Sequence, residues 1–396
     1  MRILFISNLY PPHCLGGYEI LCDQVRCELQ RLGHEVAVLT SSHGLADAKA
    51  STNDRDVHPV LDLYLPFCEA PRLLRHKRWW VGRRNYRLTR RFIARWRPDV
   101  IFIWSQLRLT IGPARAAEAS GFPVAYTFND EHVAGFVPAR FGMTLRKLYR
   151  YIGDRILFPG ITLRGLRLKH VTCISRILKQ NLLASGVAIE QAKVNYQGIP
   201  LERFPLKGKP GSIHPQAKLL YVGHLHRYKG VHTLVEAANL VAKHAGAGAV
   251  KVSIVGAGDA DYERHLRDMA AKGEADIEFL GKLPHAALGR TYREHDIFVF
   301  PSIWQEPFGL THLEAMASGT CVISTAEGGQ AEFLVDGENS LVFKAGDARG
   351  LAVQIAMLLG NDHYGKQLVV TARKMVEERF SLRRYARELE TFLAQT

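Results

Sequence analysis

The sequence predicts an α/β fold made of two Rossmann-like, doubly wound parallel-sheet domains in series. Three observations predict it. Short continuous apolar runs recur along the chain, each followed by a helix-like stretch, and buried parallel strands read this way because both of their faces are covered. A Lys/Pro/Gly-rich stretch at residues 205–215 interrupts the pattern, which then restarts. The chain has 396 residues, 47% of them hydrophobic, which suffices for two cores. The expected domains are residues 1–205 and 216–374, with a C-terminal helix at 375–396 packing back on the first.

In the first half the strand candidates are residues 3–6, 36–39, 100–104, 124–128, 171–174 and 194–196. The opening, Met1-Arg2-Ile3-Leu4-Phe5-Ile6, reads as a buried strand, since its apolar run is shorter than a secretory leader needs and no small-residue cleavage site follows. Residues 84–96 read as a sheet-covering helix, with Leu88, Phe92 and Trp96 on one face together with Val81. In the second half the candidates are 219–222, 252–255, 277–280, 297–300, 322–324 and 341–343, and residues 373–394 show helical periodicity. Ligands of such sheets bind beyond the strand C-termini, so a crevice facing both domains is the expected site.

Composition narrows the function. Mean hydropathy is −0.08, and no run of about 18 apolar residues suggests a membrane-crossing helix. Six cysteines without a C-x-x-C pair and 17 histidines without an H-E-x-x-H pattern support neither a disulfide framework nor a zinc site, so no metal is expected. Asp259-Ala-Asp261 reads as a helix N-cap with first-turn charge rather than a metal-binding pair. Gly256-Ala-Gly258 lacks the third glycine of a dinucleotide fingerprint. Residues 1–205 hold 30 Lys/Arg against 16 Asp/Glu, whereas residues 206–396 hold 22 of each. The whole excess of +14 lies in the first half, which points to an anionic partner there.

The most informative segment runs from Pro301 to Gly319. A strand ends at Pro301, Pro307-Phe308-Gly309 make a turn, and strong helix formers follow from Leu310. Glu306 falls in the loop and Glu314 in the helix, flanking a helix N-terminus whose amides suit hydroxyl or anionic oxygen. Two carboxylates so placed can each accept paired hydroxyls, as on a sugar or ribose.

This segment resembles the E-x7-E signature of glycosyltransferase family 4, a retaining family of the GT-B fold, within a frame P-S…E-P-F-G-L…E-A-M-A-x-G. Tyr221-Val-Gly223-His224-Leu-His-Arg227-Tyr-Lys229-Gly230 resembles the family's V-G-R-L-x-x-x-K-G. Glu327-Gly328-Gly329-Gln-Ala-Glu332 with Asp336-Gly337 resembles G-G-x-x-E…D-G, and Pro11 to Glu19 resembles its phosphate-facing glycine loop. The resemblance implies that Lys229 neutralises the donor diphosphate, assisted by the amides of Gly16 and Gly17 and by the turn at Gly223. It further implies that Glu306 faces the transferred sugar as the catalytic carboxylate, that Phe308, Gly309 and Leu310 hold its hydroxyls, that Glu314 grips the ribose and that the loop at Leu283 lies against the base. The donor is then a nucleoside-diphosphate sugar, with no other cofactor. Two positions depart from the pattern. His224 stands where the family has Arg, with Arg227 the nearby replacement, and Asn129 stands where it has His, leaving Asp130 or His132 as candidates at that strand end.

Residues Arg72 to Arg97 contain 11 Lys/Arg and no acid, with Trp79 and Trp80 expected upstream of the helix in a pattern suited to a bilayer interface. Met143 to Lys169 adds further cations with one acid, Asp154. These stretches lead to an expected peripheral contact with the anionic cytoplasmic face of a membrane. The acceptor expected beside it is a glycan, a lipid-linked or a phosphorylated group, as in surface-polysaccharide or glycolipid synthesis. Two alternatives are a GT-B-fold nucleotide-sugar epimerase and a non-catalytic nucleic-acid binder. No basic–aromatic RNP-like motif or zinc frame favours the latter, so nucleic acid is not an expected partner.

Overall fold

The computed structural model describes residues 1–14, 16–43, 54–65, 75–139 and 144–396. Of the two basic stretches only residues 72–74 and Met143 lie outside the described residues, as does Cys68. The chain divides into two compact units, Met1–Tyr196 with Tyr385–Thr396, and Gln197–Arg384.

The first unit is built on seven strands: β1 (Arg2–Ile6), β2 (Glu35–Ser41), β3 (Val57–Leu61), β4 (Val100–Ile103), β5 (Val124–Phe128), β6 (His170–Cys173) and β7 (Lys193–Val194). They form one parallel sheet in the order β3-β2-β1-β4-β5-β6-β7. Its centre is apolar throughout, with Ile3 to Ile6 and Ile101 to Phe102 fully buried. The chain direction of the winding reverses between β1 and β4, and ligands of doubly wound sheets collect beyond that point. Strand β3 is an addition to the runs read from the sequence. It is an edge strand carrying His58 and Pro59, so its buried residues are only Val57 and Leu61 and it gives no continuous apolar run. Tyr385–Thr396 belongs to this unit, where His34 Nε2 lies 2.8 Å from Glu390 Oε1.

The second unit holds six strands: β8 (Ala217–Val222), β9 (Val250–Val255), β10 (Asp276–Gly281), β11 (Ile297–Phe300), β12 (Cys321–Ser324) and β13 (Leu341–Val342). They form a parallel sheet in the order β10-β9-β8-β11-β12-β13. The reversal here falls between β8 and β11, which places the loops after those two strands side by side. The GT-B-type pair of Rossmann-like sheets expected from the sequence is thus present.

Two local readings differ from the structure. The helix expected over 84–96 runs from Arg75 to Trp96 and contains Trp79 and Trp80, which therefore sit on it and not upstream. Aromatic and arginine side chains extend its regular spacing by two turns beyond the clearest apolar face. The periodic stretch 373–394 is two helices, Asp362–Arg379 and Leu382–Ala394. The break is fixed by tertiary bonds: Ile199 N donates to Phe380 O at 2.9 Å, Leu382 N donates to Ile199 O at 2.8 Å, and the Phe380 ring is fully buried. Asp259 caps helix Ala260–Ala271 through the Tyr262 amide at 2.8 Å, as its position predicts.

Candidate functional site

Strand β8 ends at Val222, and the loop after it delivers Lys229 through a 3₁₀ turn over Arg227–Lys229. Gly230 closes the turn with φ +66°, and a Cβ there would stand 2.0 Å from the Pro301 carbonyl oxygen. Only glycine permits that approach, which seats the Lys229 loop directly on the end of β11. Ile303 N donates to Tyr228 O at 2.9 Å and completes the junction.

Across this junction Lys229 Nζ donates to both oxygens of Glu306, at 2.7 and 2.8 Å. Ser302 Oγ donates to Glu306 Oε1 at 2.7 Å. Both partners of the ion pair are largely covered, with side chains 13% and 8% exposed. The ammonium also stands 5.4 Å from the Tyr228 and Trp304 ring centroids and 5.6 Å from that of Phe300, whose faces favour a cation. The Glu306 loop is held from behind by glycines. A Cβ on Gly328 would lie 2.3 Å from the Glu306 nitrogen and oxygen, and Gly329 N donates to Glu306 O at 2.6 Å.

Glu314 lies on helix Leu310–Ser318, which starts at Gly309 with φ +129°, and is itself buried. Its two oxygens accept separately, Oε2 from Tyr292 Oη at 3.0 Å and Oε1 from His285 Nε2 at 3.2 Å. Burial, then the Glu314 charge, pushes the Tyr292 phenol far above its ordinary value, so it stays a donor. Leu283 is half-buried just before helix His285–Arg293, and Phe308 is packed at 5.4 Å against Phe333 and 6.0 Å against Phe380. His312, under Gly309, is fully buried, lies 2.8 Å from Ser324 Oγ and is driven down to about 3 by burial.

Other sequence candidates lie in the loops around this cluster. Gly223 gives its amide to Val255 O at 3.0 Å, while a Cβ on Gly256 would meet the Gly223 oxygen at 1.8 Å. Desolvation, followed by the Lys229, His226 and Lys282 charges, lowers the His224 pKa, so His224 is neutral at pH 7 and supplies no cation. Arg227 has its guanidinium carbon 6.0 Å from the Tyr262 ring centroid.

In the first unit, Gly16 caps helix Gly17–Arg31 and its amide donates to the buried Glu19 carboxylate at 3.0 Å. Asp130 caps a 3₁₀ turn by accepting from His132 N at 2.7 Å, and burial raises its pKa. His132 is lowered to about 4 by burial and by the charges of Arg78 and Arg108. Asn129 Nδ2 and Tyr18 Oη both donate to Trp104 O, at 3.1 and 3.2 Å. These groups line a hollow of about 30 Å³ beyond β4 and β5, about the volume of one water.

The structure thus joins Lys229 directly to Glu306 and gives Glu314 its own support. Sequence reasoning missed Ser302, Tyr292 and His285. Ser302 had a signal in the P-S frame, whereas Tyr292 and His285 reach Glu314 only through the packing of two helices.

Comparison with known proteins now bears on this arrangement. The family described as "Glycosyl transferases group 1" matches residues 203–375, and "Glycosyltransferase Family 4" matches residues 15–203. Glycogen synthase from Mycobacterium tuberculosis is 26% identical over 96% of this chain and 91% of its own length. Phosphatidyl-myo-inositol mannosyltransferase from Mycolicibacterium smegmatis is 25% identical over 91% and 86%. The fold is shared with the crystal structure of HepE from Anabaena in complex with UDP and glucose, at a TM-score of 0.72 and 19% identity over 100% of both chains. With the two family matches meeting at residue 203 and spanning the chain from 15 to 375, this protein belongs to the group 1, family 4 glycosyltransferases and is a glycosyltransferase enzyme of the GT-B fold.

Proposed function

We propose that the protein moves a sugar, with retention of anomeric configuration, from a nucleoside-diphosphate sugar to a glycan or lipid-linked acceptor in surface-polysaccharide or glycolipid synthesis. In this reading the second unit takes the donor and the first takes the acceptor. The observation that carries it is the buried Lys229–Glu306–Ser302 cluster at the switch point of the second sheet, with Glu314 on the helix that follows.

An ammonium has three N–H donors, and Glu306 takes two of them. The third is the donor to the diphosphate, where charge accumulates as the glycosidic bond breaks, and a fixed cation there stabilises the leaving group. Glu306 Oε1 already accepts from Lys229 and Ser302, whereas Oε2 accepts from Lys229 alone and keeps a lone pair for a sugar hydroxyl. Glu314 keeps one acceptor position on each oxygen, which suits the adjacent hydroxyls of a ribose. Phe308, Gly309, Leu310, Leu283, Gly17 and Asp130 retain the roles the family resemblance implies, while the Gly16 and Gly223 amides are engaged within the fold. The excess charge of the first half and the lipid named for the mannosyltransferase relative support an anionic, lipid-linked acceptor at a membrane surface. No helix among the described residues is long and apolar enough to cross a membrane.

A thermal-shift series with UDP-, GDP- and ADP-sugars tests the reading. The donor raises the melting temperature with a concentration dependence following RT ln(1 + [L]/Kd), and HepE's ligand places UDP-sugars first in the series. No shift with any nucleotide sugar at millimolar concentration would refute it.

A further inference from the structure

Helix Arg75–Trp96 and helix Gly112–Glu118 meet at two glycines: a Cβ on Gly112 would stand 2.1 Å from the Gly82 carbonyl oxygen. Beside this crossing lies a hollow of about 270 Å³, contained within the first unit. Its lining includes four arginines, Arg78, Arg83, Arg87 and Arg115, with Trp79 and Tyr86, and no carboxylate among the described residues. Arg78 gives its terminal nitrogens to Gly135 O and Arg115 gives one to Thr162 O and Arg164 O, and among the described residues the nearby acids pair with other arginines, Asp154 with Arg75, Asp62 with Arg84 and Glu118 with Arg167.

Four like charges around one cavity repel one another unless an anion lies among them. Burial lowers Arg78 to about 10 and lowers Arg115 as well, outweighing the charge of Asp154 on the first and of Glu118 on the second. Three donors on lining residues, Arg78 Nε, Arg115 Nε and Trp79 Nε1, are buried with no acceptor among the described residues. Thr110, also in the wall, has φ +70°, a left-handed conformation that a β-branched residue rarely adopts and that concentrates at ligand-contacting positions.

We propose that this hollow binds a phosphate or diphosphate ester, held by the Arg83 and Arg87 forks and the Nε donors of Arg78 and Arg115, with Trp79 and Tyr86 against the apolar or sugar group that carries it. Guanidiniums match phosphate oxygens in pairs, and a ring and its cation share the wall already, with the Arg83 guanidinium carbon 4.9 Å from the Trp79 centroid. That the phosphate belongs to the acceptor rests on the reading that the first unit takes the acceptor. The binding site itself rests only on this unit's own residues.

Inorganic pyrophosphate titrated onto the full chain, followed by tryptophan fluorescence and calorimetry, tests the site. The measurement is made in a Lys229→Ala background to remove the cation proposed for the donor. Arg83 and Arg87 are exposed, so Arg83→Gln/Arg87→Gln should keep the same melting temperature. The expected result is saturable binding that weakens with salt and a Kd raised roughly tenfold or more in the double variant. No binding, or an equal Kd in the variant, overturns the site. Flotation with phosphatidylglycerol vesicles separates the sources: pyrophosphate releasing the protein from vesicles supports a lipid-borne phosphate, and pyrophosphate binding with no flotation supports a soluble one. A failure of sugar transfer would refute the proposed function and leave the pyrophosphate result standing.

Discussion

At the scale of single residues, the second unit separates two tasks between two carboxylates. Glu306 is tied to Lys229, the cation proposed to face the leaving group, and Glu314 is tied to a phenol and an imidazole. Their variants should therefore fail differently. Lys229→Ala should lower kcat by ~10²–10³, the scale of losing one preorganised donor to developing charge. Glu314→Ala should chiefly raise the donor KM, by roughly tenfold or more, because a ribose contact is present in ground and transition states alike. Steady-state kinetics resolves the two, and equal effects on kcat and KM in both variants would contradict the division. Glu306 and Glu314 were legible because their spacing follows a strand, a turn and a helix in one segment. Tyr292 and His285 were not, since a phenol and an imidazole on one short helix carry no mark of the carboxylate they support.

At the scale of elements, the loops after β8 and β11 work as one piece because glycine lets their backbones touch. Gly230→Ala places a methyl group against the Pro301 carbonyl and forces φ +66° on a residue that resists it. It should cost ~1–3 kcal/mol in stability and displace Lys229, so both the urea midpoint and kcat should fall. Retention of both would show that the junction does not position the ammonium. Apolar runs marked twelve of the thirteen strands among the described residues, most of them central parallel strands covered on both faces. Strand β3 escaped because its edge position tolerates Pro59 and leaves His58 to Val60 partly or fully exposed, so no apolar run forms. The helix break at Phe380 escaped because it is imposed by Ile199, far away in sequence, and not by any local stop signal.

At the scale of the whole molecule, one buried and one partly buried imidazole make stability depend on pH. His312, in the second unit, is held near 3, and His132, in the first, near 4, against an ordinary 6.5. Between those values the unfolded chain binds more protons than the folded one, so stability falls as pH drops from about 6.5 towards 4. Each group contributes up to about 1.4 kcal/mol per pH unit in that window. Urea midpoints measured from pH 7 to pH 4.5 should decline, and His312→Asn should flatten the slope. An unchanged slope in that variant would mean that His312 does not titrate on unfolding. The uneven charge of the two halves was plain from composition, but the hollow it lines was not, because it takes the crossing at Gly82 and Gly112 to gather arginines from separate segments.

Gly328 and Gly329 press flat against the backbone at Glu306, leaving that loop without slack. A loop clamped so tightly has few conformations to give up when a substrate arrives, so recognition on this side should be lock-like, and adaptability towards different sugars must come from side chains rather than from movement of the main chain.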